Sequence, residues 1–76
     1  MTTLDLLNEG QKARILDVSG EDGISIRLME MGLTDGEVVE HLGCAPLGDP
    51  IEFLIRGYRL SLRATEARRV IVERIV

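Results

Sequence analysis

The chain has 76 residues, 45% of them hydrophobic, and it carries a formal net charge of −4 at pH 7. This length supports one aliphatic core and excludes a second, so residues 1–76 are predicted to form a single domain. It also excludes most enzymes, because a large substrate cleft walled on all sides needs a longer chain. The negative net charge disfavours binding to nucleic acid.

The first half of the chain predicts a helical turn, two strands and a short helix between the strands. A capping residue, Thr3, and a terminating Gly10 predict the helical turn. The pattern of apolar residues predicts one strand over Lys12–Ser19 and another over Glu37–Ala45, with a bulge at Gly43.

The short helix is indicated by its apolar spacing and by its two ends. Ile24, Leu28 and Met31 have the spacing of one buried helical stripe. Asp22 can cap the N-terminus, and Gly32 suits the left-handed position just past the C-terminus.

The second half of the chain predicts a stiff loop, a hairpin and a last strand. The predicted elements are a loop over Ala45–Pro50, strands over Ile51–Ile55 and Arg59–Arg63, a helical turn over Glu66–Arg69 capped by Thr65, and a strand over Val70–Glu73. Five short strands joined by tight turns must bury one face without wide sheet edges. The expected fold is therefore mainly β, a small and partly open barrel.

Charge is distributed unevenly along the chain. Residues through Glu52 include 11 acids and 3 bases, whereas residues from Phe53 onward include 2 acids and 6 bases. Attraction between neighbouring strands explains this asymmetry, and so does a basic surface that contacts a partner. Both interpretations stay open.

The compartment is predicted from what the sequence lacks. The single cysteine, Cys44, cannot form an internal disulfide, which suits the cytoplasm. The N-terminus does not have the pattern of a signal peptide, and no apolar run is long enough to span a bilayer. We expect a cytoplasmic protein without direct membrane insertion.

Four motifs occur in order along the chain. They are Leu28-Met29-Glu30-Met31-Gly32-Leu33 followed by Gly36, Ala45-Pro46-Leu47-Gly48-Asp49-Pro50-Ile51, Arg56-Gly57-Tyr58-Arg59-Leu60-Ser61-Leu62-Arg63 and Glu66-Ala67. Together they resemble the FeoA family of ferrous iron transport proteins. The resemblance implies an SH3-like (Src-homology-3-like) small barrel in the cytoplasm. It also implies a partner, the membrane permease FeoB with its cytosolic GTP-binding domain.

Catalytic and metal sites find little support in the residues. His41 and Cys44 are separated by two residues, and on a regular strand they point to opposite faces, so they chelate one ion only with a bulge. They are weak candidates for a metal site, since a closed site needs four ligands. The sequence contains no phosphate-binding loop of the GxxxxGK[ST] type. We therefore expect neither an enzyme nor a resident cofactor.

The candidate contact residues for a partner are Leu33, Leu47, Asp49, Arg59 and Arg63. Arg59 and Arg63 share one strand face, where arginine can bind carboxylates with two hydrogen bonds. Leu33 follows the predicted helix and Leu47 lies in the predicted loop, where they either meet a partner as exposed aliphatic residues or cover the barrel ends. The favoured hypothesis is an accessory protein that docks to FeoB. The alternative is a domain that binds or senses ferrous iron directly.

Overall fold

The structure is a computed structural model that describes residues 1–75. It contains one sheet of six antiparallel strands, two α-helices and a 3-10 turn. The strands are β1 (Thr2–Thr3), β2 (Lys12–Val18), β3 (Val38–Cys44), β4 (Ile51–Ile55), β5 (Tyr58–Leu62) and β6 (Val70–Ile75); the helices are α1 (Gly23–Glu30) and α2 (Ala64–Ala67), and the 3-10 turn covers Leu4–Leu6. The expected mainly β fold is confirmed.

The strands lie in the order β1-β6-β2-β3-β4-β5, so β1 and β5 are the two edges. Among residues 1–75 no ladder joins these two edges, which agrees with a partly open barrel. The sheet has one strand more than predicted, because Thr2 and Thr3 pair with Val72 and Ile71. Two residues are too few to show an alternating pattern, and the sequence therefore gave no strand signal there.

The core is formed by alternate strand residues, as the period of a half-buried strand requires. The buried hydrophobic strand residues are Ala13, Ile15, Val18, Val39, Ile51, Phe53, Ile55, Leu60, Leu62, Val70 and Val72. Each fully buried large aliphatic or aromatic side chain contributes about 1.5–3 kcal/mol to folding. Aliphatic side chains thus supply nearly all of the core, as expected from the composition.

Helix α1 begins at its predicted cap but buries a narrower face than predicted. The Asp22 Oδ1 atom accepts a hydrogen bond of 3.2 Å from the backbone N–H of Ser25. Ser25 and Leu28 are fully buried, whereas Ile24 is 41% exposed, so the expectation of a buried Ile24 is wrong. Ser25 occupies the buried position instead, and its hydroxyl donates a hydrogen bond of 2.9 Å to the Asp22 carbonyl.

The hairpin of β4 and β5 has a tighter turn than predicted. Arg56 and Gly57 are its two turn residues, with φ of +52° and +85°. Two central residues with positive φ form a type I′ turn, which matches the twist of the flanking strands. Tyr58 is therefore the first residue of β5 and not part of the turn.

Helix α2 begins and ends two residues earlier than predicted. It covers Ala64–Ala67, so Thr65 lies inside the helix and does not cap it. Beyond it, β6 extends to Ile75, past the predicted end at Glu73. Within residues 1–75, no helix is both long and apolar enough to cross a bilayer.

Candidate functional site

A cleft of about 410 Å³ opens where helix α1, edge strand β5 and helix α2 meet. The residues that line it are Arg27, Met31, Pro50, Ser61, Arg63 and Glu66. The cleft joins the predicted basic strand face and the predicted loop to the end of α1. The sequence did not predict that α1 takes part.

Beside the cleft, Tyr58 connects the hairpin to the end of helix α1. Its hydroxyl donates a hydrogen bond to the backbone carbonyl of Met31. The next residue, Gly32, has a φ of +102°, and a Cβ atom there would collide with the Tyr58 hydroxyl. Glycine is therefore required at this position both by backbone conformation and by the close approach of Tyr58.

The loop from Ala45 to Pro50 is fixed at both ends and exposed at its tip. The Gly48 N–H donates to the Ala45 carbonyl at 2.7 Å. The Asp49 Oδ1 atom accepts from the backbone N–H of Ala64 at 2.9 Å, which caps helix α2. Leu47, at the tip, is 97% exposed. Asp49 therefore positions the loop, while Leu47 is available for contact.

Glu66 links the two helices across the cleft. One carboxylate oxygen accepts the backbone N–H of Arg63 at 2.9 Å, and the other pairs with the Arg27 guanidinium. Sequence analysis missed this role. The sequence gives little signal for it, because a capping box is recognised by Ser or Thr three residues before the acid, and Arg63 stands at that position.

A second ion pair connects the start of α1 to the segment before β6. The Arg69 Nη1 atom lies 2.5 Å from the Asp22 Oδ1 atom. The hydrogen bond from Arg69 and the backbone N–H of Ser25 together lower the pKa of Asp22 from 3.8 to about 2. Asp22 is thus both the helix cap and an ionic anchor for α1.

The arginines of the second half of the chain differ in their partners. Three of them pair with carboxylates: Arg56 with Glu37, Arg68 with Asp5 and Arg69 with Asp22. Arg74 donates to the Leu6 carbonyl at 3.2 Å. Arg59 and Arg63 are exposed, and within residues 1–75 neither has a carboxylate oxygen within 4.0 Å. Attraction between the two halves of the chain therefore explains the first group and not these two.

Leu33 does not belong to this surface, and the expectation that it is exposed is wrong. It is fully buried in the core. Its N–H donates to the Leu28 carbonyl at 3.2 Å, and the Gly32 N–H donates to the Met29 carbonyl at 3.0 Å. This is the Schellman ending of a helix, which turns the following hydrophobic residue back onto the helix.

The weak metal candidates His41 and Cys44 are separated by the predicted bulge. The register of β3 and β4 shifts between His41 and Gly43. His41 is 6% exposed and packs edge-on against Phe53 with ring centroids 5.5 Å apart, whereas Cys44 is exposed. Within residues 1–75, no three His, Cys, Asp or Glu side chains are grouped closely enough to bind an ion. The bulge exists, but it does not bring the two side chains to one site.

A family model of the FeoA domain matches residues 2–74. This chain belongs to the FeoA family. A curated relative, the Fe(2+) transport protein A/Fe(2+) transporter FeoB fusion protein of Porphyromonas gingivalis, is 38% identical over 72 residues. The match covers 95% of this chain and 8% of the fusion protein. In that relative the FeoA domain and the transporter are parts of one chain.

Two solved structures of FeoA-type proteins have the same fold. The FeoA-like protein from Clostridium acetobutylicum is 33% identical, with a TM-score of 0.92 over 99% of this chain and 87% of that one. FeoA from Stenotrophomonas maltophilia, solved with zinc and described as a prokaryotic SH3 domain protein, is 32% identical, with a TM-score of 0.84 over 96% of this chain and 91% of that one. The SH3-like fold implied by the sequence motifs is confirmed.

Proposed function

We propose that this FeoA-family chain is a non-enzymatic accessory protein of ferrous iron transport that docks to the cytosolic GTP-binding part of a FeoB permease. The observation that carries the proposal is the pair Arg59 and Arg63, which are exposed and have no ion pair within residues 1–75. Arg63 lines the cleft, and Arg59 lies in the adjoining strand β5. The fusion of both components in the P. gingivalis relative supports the choice of partner. Such a protein acts from the cytoplasm.

The chemistry of this surface suits an acidic protein partner. Arginine binds a carboxylate through two parallel hydrogen bonds, which gives both orientation and affinity. Leu47 adds an apolar contact at the tip of a loop whose ends are already hydrogen-bonded. Little conformational entropy is lost when such a rigid group docks.

The effect on transport follows from differential binding. A docked protein can shift the permease between states only if it binds one state more tightly than the other. We expect the affinity for the cytosolic domain to differ between its GDP-bound form and its form with a GTP analogue. A pull-down in both nucleotide states measures this difference, and equal binding in both states contradicts a regulatory role.

Ferrous iron uptake tests the proposal in cells that lack the chromosomal copy of this protein. The variant R59E/R63E should restore less uptake than the wild-type chain. The matched control is K12E/R14E, which changes the net charge equally at two exposed residues of β2 that also have no ion pair within residues 1–75. Circular dichroism verifies that both variants are folded. Normal uptake with R59E/R63E contradicts docking through the basic face.

A second candidate function is the binding of a transition-metal ion, supported by the zinc complex of the S. maltophilia relative. The residues to test are His41 and Cys44, although the structure does not group them. Anaerobic titration with ferrous iron compares the wild-type chain with the variant H41A/C44S. Loss of a stoichiometric site in the variant supports this function, and identical titrations contradict it.

A further inference from the structure

Two of the five residues of strand β5 direct their backbone groups to an open edge of the sheet. The two-residue turn between β4 and β5 makes Ile55 and Tyr58 a hydrogen-bonded pair. Hydrogen-bonded and non-hydrogen-bonded pairs alternate along an antiparallel ladder. Arg59 and Ser61 therefore direct their backbone N–H and C=O groups away from β4.

These backbone groups have no partner among residues 1–75. Strand β5 ends the sheet, and no turn, loop or side-chain hydrogen bond reaches the backbone of Arg59 or Ser61. The opposite edge strand, β1, has two residues, so β5 is the longer of the two edges. Unpaired strand edges are templates on which another extended chain can add.

The space next to this edge is the cleft described above. Ser61 and Arg63 line one side of it, and Met31 and Arg27 line the other. Its volume of about 410 Å³ lies in the range of natural binding sites. A strand edge facing a helix across such a cleft is the arrangement in which a peptide adds a strand and places alternate side chains in the groove.

The charge of the residues near the β5 edge indicates what kind of peptide segment can bind there. Arg59 lies in β5, whereas Arg63 directly follows the strand as the N-cap residue of α2. The backbone at Arg63 is still extended, with φ of −68° and ψ of 150°, so the alternation of the strand continues to it and the two arginines, four residues apart, share one face. Neither is neutralised within residues 1–75. An added strand has the same spacing, so two carboxylates four residues apart can each meet one arginine. The residues next to these carboxylates turn to the other face.

We infer that the free edge of β5 binds an extended acidic segment of the protein partner as an added β-strand. The inference rests on the proposed function and specifies the chemistry of the partner's segment. The segment carries two acidic residues four positions apart, which pair with Arg59 and Arg63. Apolar residues beside them face the cleft near Met31.

The first test titrates the isotope-labelled chain with the blocked peptide acetyl-Glu-Val-Thr-Val-Glu-amide. Binding should protect the backbone amides of Arg59 and Ser61 from hydrogen exchange. Two control peptides keep the length: one has glutamine in place of both glutamates, and the other has a methyl group on the backbone nitrogen of threonine. Both should bind at least about tenfold more weakly, because charged contacts or strand hydrogen bonds are lost. Equal affinity of the methylated peptide, or unprotected amides, overturns strand addition.

The second test changes the edge itself. Ser61→Pro removes the outward N–H without removing a hydrogen bond to β4, and proline is tolerated on edge strands. Ser61→Ala keeps this N–H and is the matched control. The affinity for the peptide should fall about tenfold in the proline variant and stay unchanged in the alanine variant. Equal affinity of the two variants, verified as folded, overturns the inference.

The cytosolic domain of FeoB separates the two proposals. If it binds Ser61→Pro normally but fails to bind R59E/R63E, docking through the basic face stands and strand addition is overturned. If the peptide binds at the edge but the FeoB domain does not bind the wild-type chain, the edge site stands and the proposed function fails. Sedimentation tests whether the edge of β5 binds a second copy of this chain instead of a partner. If the chain self-associates and Ser61→Pro abolishes this, the assignment of the edge to a partner is overturned.

Discussion

Two groups of arginines occupy the basic second half of this chain, and they have different structural roles. Arg68 and Arg69 pair with carboxylates from the acidic first half and so connect distant parts of the fold. Arg59 and Arg63 belong to the same basic half of the chain, yet neither has an ion pair within residues 1–75. Charge asymmetry in a sequence can therefore reflect internal pairing and a binding surface at once.

The two sides of the cleft differ in the same way as the two groups of arginines. On the anchored side, helix α1 is attached through Asp22, Arg27 and the carbonyl of Met31. On the free side, the backbone of Arg59 and Ser61 in edge strand β5 has no hydrogen-bond partner among residues 1–75, and Leu47 at the tip of the loop is exposed. Substitutions on the anchored side should change stability, and substitutions on the free side should change binding.

The largest effect on stability is expected at Leu33, and Leu47, the other leucine predicted to contact a partner, is its matched control. Leu33→Ala removes a fully buried side chain and should lower the free energy of unfolding by about 2–5 kcal/mol. Leu47→Ala removes a side chain that is 97% exposed and should change it by less than about 0.5 kcal/mol. Urea denaturation measures the free energy of unfolding of both variants. Similar losses in the two would contradict the assignment of Leu33 to the core and of Leu47 to the exposed surface.

The next largest effect is expected at the contact between Gly32 and Tyr58. Gly32→Ala should lower the free energy of unfolding by about 1–3 kcal/mol, because it strains a backbone with φ of +102° and collides with the Tyr58 hydroxyl. Combining it with Tyr58→Phe removes the collision but not the backbone strain. The double variant should recover part of the loss, measured as a non-additive term in a double-mutant cycle. Strict additivity would show that the two residues do not meet.

A smaller, pH-dependent effect is expected at Asp22. Its pKa of about 2 in the folded chain lies below its ordinary value of 3.8, so its ion pair stabilises the fold above pH 3.8. That contribution should be lost as the pH falls from 3.8 towards 2. Denaturation at several pH values should show a shallower pH dependence in Asp22→Asn over this window. An unchanged slope would mean that Arg69 does not stabilise the carboxylate.

The smallest effect on stability is expected on the free side. Arg59→Ala removes an exposed side chain without an ion pair within residues 1–75 and should change the free energy of unfolding by less than about 0.5 kcal/mol. Thermal denaturation beside the wild-type chain gives the comparison. A large loss would place Arg59 on the anchored side.

Much of the fold could be predicted from local signals. Asp22 caps the N-terminus of helix α1, and Gly32 takes the left-handed position after its C-terminus, as predicted. Gly43 lies at the predicted bulge, next to the register shift after His41. The clean alternation of Leu60 and Leu62 with polar residues predicted the inward face of β5. These signals depend on neighbours within a few residues, and sequence patterns report such neighbours well.

The site was harder to predict because its contacts join distant segments. Tyr58 reaches Met31 over 27 positions, and Arg27 reaches Glu66 over 39. Leu33 follows a helix and Leu47 lies in a loop, and only the path of the chain in the folded structure decides that the first is buried and the second exposed. Which arginines find a carboxylate is likewise a property of the packed fold.

The most direct test is the affinity of the purified chain for the isolated cytosolic domain of FeoB, measured by calorimetry. The variants R59E/R63E and K12E/R14E carry the same net charge, so any difference between them reports position and not total charge. The account predicts that the first loses at least about tenfold in affinity, since each lost charged contact costs about 1 kcal/mol or more. It predicts wild-type affinity for the second. Equal affinity of the two variants would contradict it.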